Sequence, residues 1–297
     1  MDIDQLNISY GIQDRVSFET GNGGFPFIHI QNQSASALIS LYGGQILSFK
    51  PADEKDDMLF LSKKAIYNDG EAIRGGIPVC WPWFGPDPKG LQRPNHGFVR
   101  NNLWTVTATT TTDTETKISL RFTENHKKEK TWKQPFTLTL EFSIASTLSI
   151  KLITENTGEQ PFSITQAFHT YFNVGDINRV QVLGLEGCAY FDKLDQGKKK
   201  MQTGIVMIGE EVDRIYEDIR NHLTLNDPTN NRRIEIVSEN CRTGVVWNPW
   251  QKAIIDLDAQ DYQRFVCVET GNIAFDLVQV PPSGKNSFLT SYKILRG

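Results

Sequence analysis

Residues 136–144 read FTLTLEFSI. Phe136, Leu138, Leu140, Phe142 and Ile144 alternate with Thr137, Thr139, Glu141 and Ser143. A period of two puts the apolar side chains on one face and the polar ones on the other, the pattern of a half-buried antiparallel strand. KISLRF repeats it with Ile118, Leu120 and Phe122, and residues 148–153 continue it. Turn signals such as Asn156-Thr157-Gly158 and Asn226-Asp227-Pro228 separate the runs. Helical periodicity is rare. Its best case is GEEVDRIYED, residues 209–218, where Val212, Ile215 and Tyr216 follow acidic residues suited to a helix N-terminus. One short helix is predicted there and little else. The succession of strands predicts an all-β chain, one large antiparallel β-sandwich domain over residues 1–297 with few short helices.

Composition narrows the function. A net charge of -4 lacks the basic field that general nucleic-acid or membrane-surface binding needs. It still leaves room for a local anion site built from two arginines. Cys80, Cys188, Cys241 and Cys267 form no CxxC pair and are expected as reduced thiols of a cytoplasmic protein. MDIDQLNISY has neither the basic start nor the apolar core of a secretory signal. No apolar run approaches the roughly 20 residues of a membrane helix. The five histidines show no HExxH spacing, so no metal is expected. There is no phosphate-binding GxxxxGK[ST], no GxGxxG and no GxSxG. The run Lys198-Lys199-Lys200 is expected as a solvated loop.

Four segments depart from simple strand patterning, and such departures mark candidate sites. In IRGGIPVCWPWFGPDP, residues 73–88, Arg74 precedes Gly75-Gly76 and a run of prolines and aromatics. Proline keeps that run out of a central strand. It is either a hydrophobic plug or the aromatic wall of a sugar site. In QRPNHGFVR, Asn95, His96 and Arg100 gather hydrogen-bond donors around Gly97. In SITQAFHTYFNVGD, strand geometry gives Ser163, Thr165, Ala167 and His169 one face. In RFVCVETGN, Phe265, Cys267 and Glu269 share a face of an apolar strand. A carboxylate there is either paired structurally or held as a base with a tuned pKa.

In this order, IRGGIPVCWPWFGP, NHGFVR, QAFHTYFNVGD and VETGN resemble the glucose-6-phosphate 1-epimerases, the hexose-phosphate branch of the aldose 1-epimerase (galactose mutarotase-like) superfamily. LYGGQILSFKP, LEGCAYFDK and VVWNPW add to the match, which runs from about residue 20 to the C-terminus. The resemblance implies a β-supersandwich holding the sugar on its concave face. It implies His169 and Glu269 as the catalytic pair, and Arg74 and Arg100 on the phosphate or adjacent oxygens. It also implies Asn95, His96 and Asp192 near the substrate.

Anomers interchange when the hemiacetal ring opens and recloses. That takes a base for the anomeric hydroxyl and an acid for the ring oxygen, roles that suit Glu269 and His169 without a cofactor. A phosphomonoester carries about -1.5 to -2 charge at pH 7, and a guanidinium fork binds its oxygens in pairs. The expected substrate is therefore a hexose 6-phosphate, with no nucleic-acid or membrane partner and a monomer as the simplest state. Two other readings stand beside it, an aldose 1-epimerase of free sugars and a non-catalytic sugar-phosphate binding protein.

Overall fold

The alternation of residues 136–144 becomes the strand Phe136–Ile144, whose five apolar side chains are each 3% exposed or less. Each such burial contributes about 1.5–3 kcal/mol relative to exposure. The computed structural model describes residues 2–123 and 132–296. Its ladders pair antiparallel and form two large sheets and two small ones. The nine-stranded sheet centres on Arg232–Glu239, Lys285–Arg296, Thr147–Asn156 and Phe136–Ile144. The eight-stranded sheet runs Lys198–Met201, Ala189–Asp192, Val212–Tyr216, Thr243–Asn248, Phe265–Asn272, Gln166–Phe168, Val79–Cys80, and Tyr171–Asn173 also pairs with Phe265–Asn272. Val16–Thr20, Pro26–Gln31, Ala35–Ser40 and Gln45–Pro51 make a four-stranded sheet.

The two large sheets face one another across a shared core. Phe168 meets Phe288 at 4.4 Å between ring centroids, and Phe172 meets Tyr292 at 5.7 Å. Polar groups caught in that core are paired across it: Thr170 with Tyr292 at 2.7 Å and Thr270 with Thr290 at 2.6 Å. Pairing is what makes such burial tolerable. In Phe265–Asn272 all eight residues are buried. Val266 and Val268 turn to the main core, while Phe265 and Cys267 belong to a separate apolar cluster on the outer face.

Two local expectations are corrected. Residues 209–218 hold no helix. Val212–Tyr216 is an inner strand between Ala189–Asp192 and Thr243–Asn248. Val212 and Tyr216 are buried on one face, and Asp213 and Ile215 take the other. Pairing on both sides decided between the two periods. Among the described residues the one α-helix is instead Ile3–Tyr10, capped by Asp2, whose carboxylate accepts from the Asp4 and Gln5 amides. The lysine run is no loop either: Lys198–Met201 is the edge strand of the eight-stranded sheet. Lysines at an edge discourage pairing with another chain.

The proline- and tryptophan-rich segment is bound to the sheet. Cys80 and Val79 pair with Ala167 and Phe168. Trp81 then runs parallel to Gly97, with Trp81 N–H donating to the His96 carbonyl at 3.3 Å and Phe98 N–H to the Trp81 carbonyl at 3.1 Å. At Gly97, φ is +76° and an added Cβ would lie 1.8 Å from the Trp81 carbonyl oxygen.

Gly97 and Gly90 separate two costs of a side chain. Both have positive φ, but an added Cβ at Gly90 meets nothing within 4 Å. Gly90→Ala is expected to cost only the backbone term, about 1–2 kcal/mol in urea denaturation. Gly97→Ala must also displace Trp81 and is expected to cost clearly more. Equal costs would show that the Trp81 segment moves freely.

Candidate active site

Register brings the two candidate catalytic residues together. Gln166, Ala167 and Phe168 pair with Asn272, Gly271 and Thr270, and Tyr171, Phe172 and Asn173 pair with Cys267, Val266 and Phe265. Both runs keep one register, so His169 lies opposite Glu269. His169 Nε2 stands 3.4 Å from Glu269 Oε1. Cross-strand neighbours share a face, here the outer face of the eight-stranded sheet. Glu269 is interior to its strand, which runs on to Asn272. The polar face expected from Ser163 to His169 is interrupted at Thr165. Phe162–Ile164 pairs with Val278–Val280, and the chain then crosses to Phe265–Asn272.

Aromatic rings hold His169. Tyr171 stacks on it at 4.9 Å and 11°, Trp247 meets it edge-on at 6.0 Å, and His96 at 5.5 Å. Trp81 and Trp83 do not form a wall for a ligand. Trp81 packs on Phe98 and Phe136 and donates to Thr154 Oγ1, and Trp83 lies under Arg93. The plug reading holds for both. Phe84 alone of that aromatic run reaches the site, at 4.6 Å from His96.

The two candidate arginines differ. Arg74 Nε donates to both oxygens of the buried Asp256 carboxylate at 3.0 Å, and Nη1 donates to Tyr171 Oη at 2.9 Å. Much of its charge is answered inside the protein. Arg100 Nη2 donates to the Asn95 carbonyl at 2.9 Å, and its buried Nε has no hydrogen-bond partner. Among the described residues no carboxylate pairs with it. Asn95 itself is exposed. His96 accepts from the Gly85 amide at Nδ1, 3.3 Å away, which assigns the proton of its neutral ring to Nε2.

Burial sets the protonation of the pair. It drives the His169 imidazole down to about 3, with Arg100 and Arg74 pushing the same way. It drives the Glu269 carboxyl well above the usual carboxylate range; Asp213 adds to this, while Lys193 and Arg100 oppose it. Burial and Arg100 also hold His96 well below the ordinary imidazole value. At 3.4 Å the contact joins two groups whose charged forms burial disfavours. His169 Nδ1 and Glu269 Oε2 are buried without a hydrogen bond to the protein. Such atoms cost about 1–3 kcal/mol each, and retained costs of this kind accompany function.

Asp192 is not brought into this group. Its register neighbours are Arg214, then Val246 and Val268, the row that faces the main core. Its carboxylate accepts from the Leu194 amide at 3.1 Å and from Lys200 Nζ at 2.8 Å. It caps the turn Lys193–Asp195. Lys193 and Asp213, which sequence reasoning passed over, carry charges felt at Glu269 instead. Asp213 was hidden by the helical reading of its segment. Asp256 had no local signal at all, because its partner lies 182 residues away.

Comparison with known proteins shows the family and the fold. The aldose 1-epimerase family model matches residues 26–293. An Escherichia coli protein named "Putative glucose-6-phosphate 1-epimerase" is 38% identical over 248 residues, 82% of each chain. A protein of the same name from Cenchrus ciliaris is 34% identical over 250 residues, 80% of this chain and 75% of that one. A Salmonella typhimurium crystal structure described as a "putative mutarotase" superposes with a TM-score of 0.90 at 30% identity, covering 97% of this chain and 96% of that one.

The buried imidazole makes a stability prediction. A His169 pKa lowered to about 3 means that the unfolded chain, with histidine near 6.5, binds one more proton between those values. Stability therefore falls as pH falls through that window, by up to about 1.4 kcal/mol per pH unit. Glu269 works in the opposite sense: its raised pKa stabilises at acid pH and loses that effect as pH rises through the folded value. Urea denaturation between pH 7 and pH 4 is expected to show a shallower pH slope in His169→Gln than in the unsubstituted protein. Identical slopes would mean that His169 is protonated in the folded state.

Proposed function

The chain belongs to the aldose 1-epimerase family, and from that premise we propose that it interconverts the α and β anomers of D-glucose 6-phosphate, with His169 and Glu269 as its acid–base pair. The observation that carries this reading is the cross-strand contact of the two, 3.4 Å apart and buried, with Arg74 and Arg100 both felt at His169. The names of the E. coli and C. ciliaris relatives support the phosphate ester as substrate. Four free cysteines suit a reducing cytoplasm. The family match over residues 26–293 supports action as a single domain.

One proton on the pair is enough for the cycle. With Glu269 ionised and His169 protonated, Glu269 takes the proton of the O1 hydroxyl. The O–H electrons form C1=O1, the C1–O5 bond breaks, and O5 takes the proton of His169. C1 then turns about the C1–C2 bond. Reclosure reverses each transfer and restores the starting protonation, so nothing is consumed. Charge placement favours this order. A phosphate dianion beside Arg100 and Arg74 offsets the cations that lower His169, and so raises its hold on a proton. General acid–base catalysis is worth about 10²–10⁴ in rate.

Exchange NMR of the glucose 6-phosphate anomers, beside free glucose and galactose, tests the reading. Faster α/β exchange is expected for the ester only, and Glu269→Gln is expected to lower it by about 10²–10⁴. Arg100→Ala should raise the ester's KM and leave free sugars unaffected. Arg100 is a cleaner probe than Arg74, whose removal strands the buried Asp256. Equal acceleration of free sugars would favour the broad aldose 1-epimerase. No acceleration of any sugar would favour a binding protein.

A further inference from the structure

VVWNPW, residues 245–250, ends in a staple for a loop. Asn248 is fully buried. Its Nδ2 donates to the Tyr262 and Phe265 carbonyls at 2.9 and 2.8 Å, and its Oδ1 accepts from the Trp250 amide at 2.8 Å. The chain between residues 249 and 264 is thereby drawn back against the sheet. Along it Ile255 is 88% exposed, Asp256 is buried, and Leu257 packs into the apolar cluster of Phe60, Tyr171, Phe265 and Cys267. The segment leading to Arg74 is tied to this loop. Lys64 Nζ lies 2.7 Å from Asp258 Oδ1, and Ser62 Oγ donates to Asp261 Oδ2 at 3.4 Å. The Ser62 amide donates to the Arg74 carbonyl at 3.1 Å. The buried Gln45 Nε2 donates to the carbonyls on either side of Arg74, Ile73 at 3.2 Å and Gly75 at 2.6 Å. Arg74 is therefore fixed at its backbone by Ser62 and Gln45, and at its guanidinium by Asp256.

From Arg74 the hold continues inward. Nη1 donates to Tyr171 Oη at 2.9 Å, and the Tyr171 ring lies face to face with the His169 imidazole, 4.9 Å between centroids and 11° between planes. An aromatic ring held at Cβ alone can swing about its side-chain torsions. A ring tied at its far end as well cannot, and a ring stacked on it takes its plane. His169 has little polar support of its own: Nδ1 is buried without a hydrogen bond to the protein, and Nε2 stands 3.4 Å from Glu269 Oε1. Proton transfer needs donor and acceptor aligned, so the plane of this ring matters to the reaction. We infer that Asp256 is a positioning residue, acting through Arg74 and Tyr171 to hold the His169 imidazole in the plane from which its proton passes to O5. The inference rests on the catalytic assignment made above. Asp256 needs no contact with the sugar, and both its oxygens are turned to Arg74 Nε. Arg74 Nη2 takes no part in the chain, so the same guanidinium can still meet a phosphate.

The test is anomer-exchange NMR at saturating glucose 6-phosphate, with inorganic phosphate as competitor. Tyr171→Phe keeps the stacked ring and removes its tie, and Asp256→Ala removes the anchor. Each is expected to lower kcat about tenfold to a hundredfold, the effect of a slightly misplaced group. The double variant should be no slower than the slower single one, because both changes cut the same chain. Asp256→Asn, which leaves one oxygen for Arg74 Nε, should recover most of the loss. Inhibition by inorganic phosphate should be unchanged in Tyr171→Phe. A second readout needs no turnover. The His169 ring protons, assigned by their disappearance in His169→Gln, lie against the Tyr171 face and are shifted upfield by its ring current. In both single variants they should move toward the position of an unstacked imidazole. Tyr171→Phe carries the test by itself if Asp256→Ala folds poorly. Losses that multiply in the double variant would show two independent effects and overturn the chain. So would an undiminished kcat in Tyr171→Phe, unmoved ring protons, or an Asp256→Ala effect confined to KM and phosphate inhibition, which would make Asp256 a support for the arginine alone. Failure of the unsubstituted protein to exchange any hexose 6-phosphate would instead remove the catalytic reading itself, and this inference with it.

Discussion

A carboxyl group kept in the middle of a fully buried strand is costly, and much of the molecule is arranged to keep it there. Glu269 has an imidazole across one strand junction and hydrocarbon across the other, with 1% of its surface exposed. Burying an isolated carboxylate is so unfavourable that the group holds its proton instead. Two packed sheets are required, because the strand must lie under a core on its inner face and under loops on its outer one. The cost is local, while the stabilisation comes from dozens of apolar side chains elsewhere. That separation lets a strained chemical group survive in a protein of ordinary stability.

Charge is distributed with the same economy. Arg74 is closed on Asp256 and Tyr171, Lys193 only leans toward Asp213, and Arg100 answers to a carbonyl alone. A net charge of -4 therefore coexists with a local positive field at His169, to which Arg100 and Arg74 contribute and which Arg100 extends to Glu269. Such a field is felt by an anion close by and screened within about a Debye length. It concentrates attraction where a phosphate would lie without making the surface generally basic.

How much of this was legible in the sequence depended on the range of the interactions involved. Alternation in residues 136–144, 118–122 and 148–153 reports one strand and one water boundary, both local, and it was read correctly. The face shared by Phe265, Cys267 and Glu269 followed from the same rule. Residues 209–218 misled because Val212, Ile215 and Tyr216 carry helical spacing, whereas in the strand Ile215 lies on the face opposite the other two, and only pairing on both sides decides for the strand. That error concealed Asp213. The motif around residue 192 pointed to a turn whose backbone sends Asp192 inward and Lys193 outward, a difference of one residue that only the register reveals. The contact of Arg74 with Asp256 bridges distant segments, and no pattern within either one announces it.

The register that opposes His169 to Glu269 has a consequence for how such a chain can change over time. Side chains on a strand alternate, so a single inserted or deleted residue within Phe265–Asn272 would carry Glu269 to the opposite face, against Thr290 and Tyr292. That part of the molecule is all or nothing, and it admits no gradual variants. The turn bearing Lys193 and the loop bearing Arg100 hang from the sheet and can lengthen, shorten or exchange residues without disturbing the ladder. A lineage built on this plan is free to explore new sugars while its reacting pair stays fixed, and diversification among its members should be written in loop lengths long before it touches the strands.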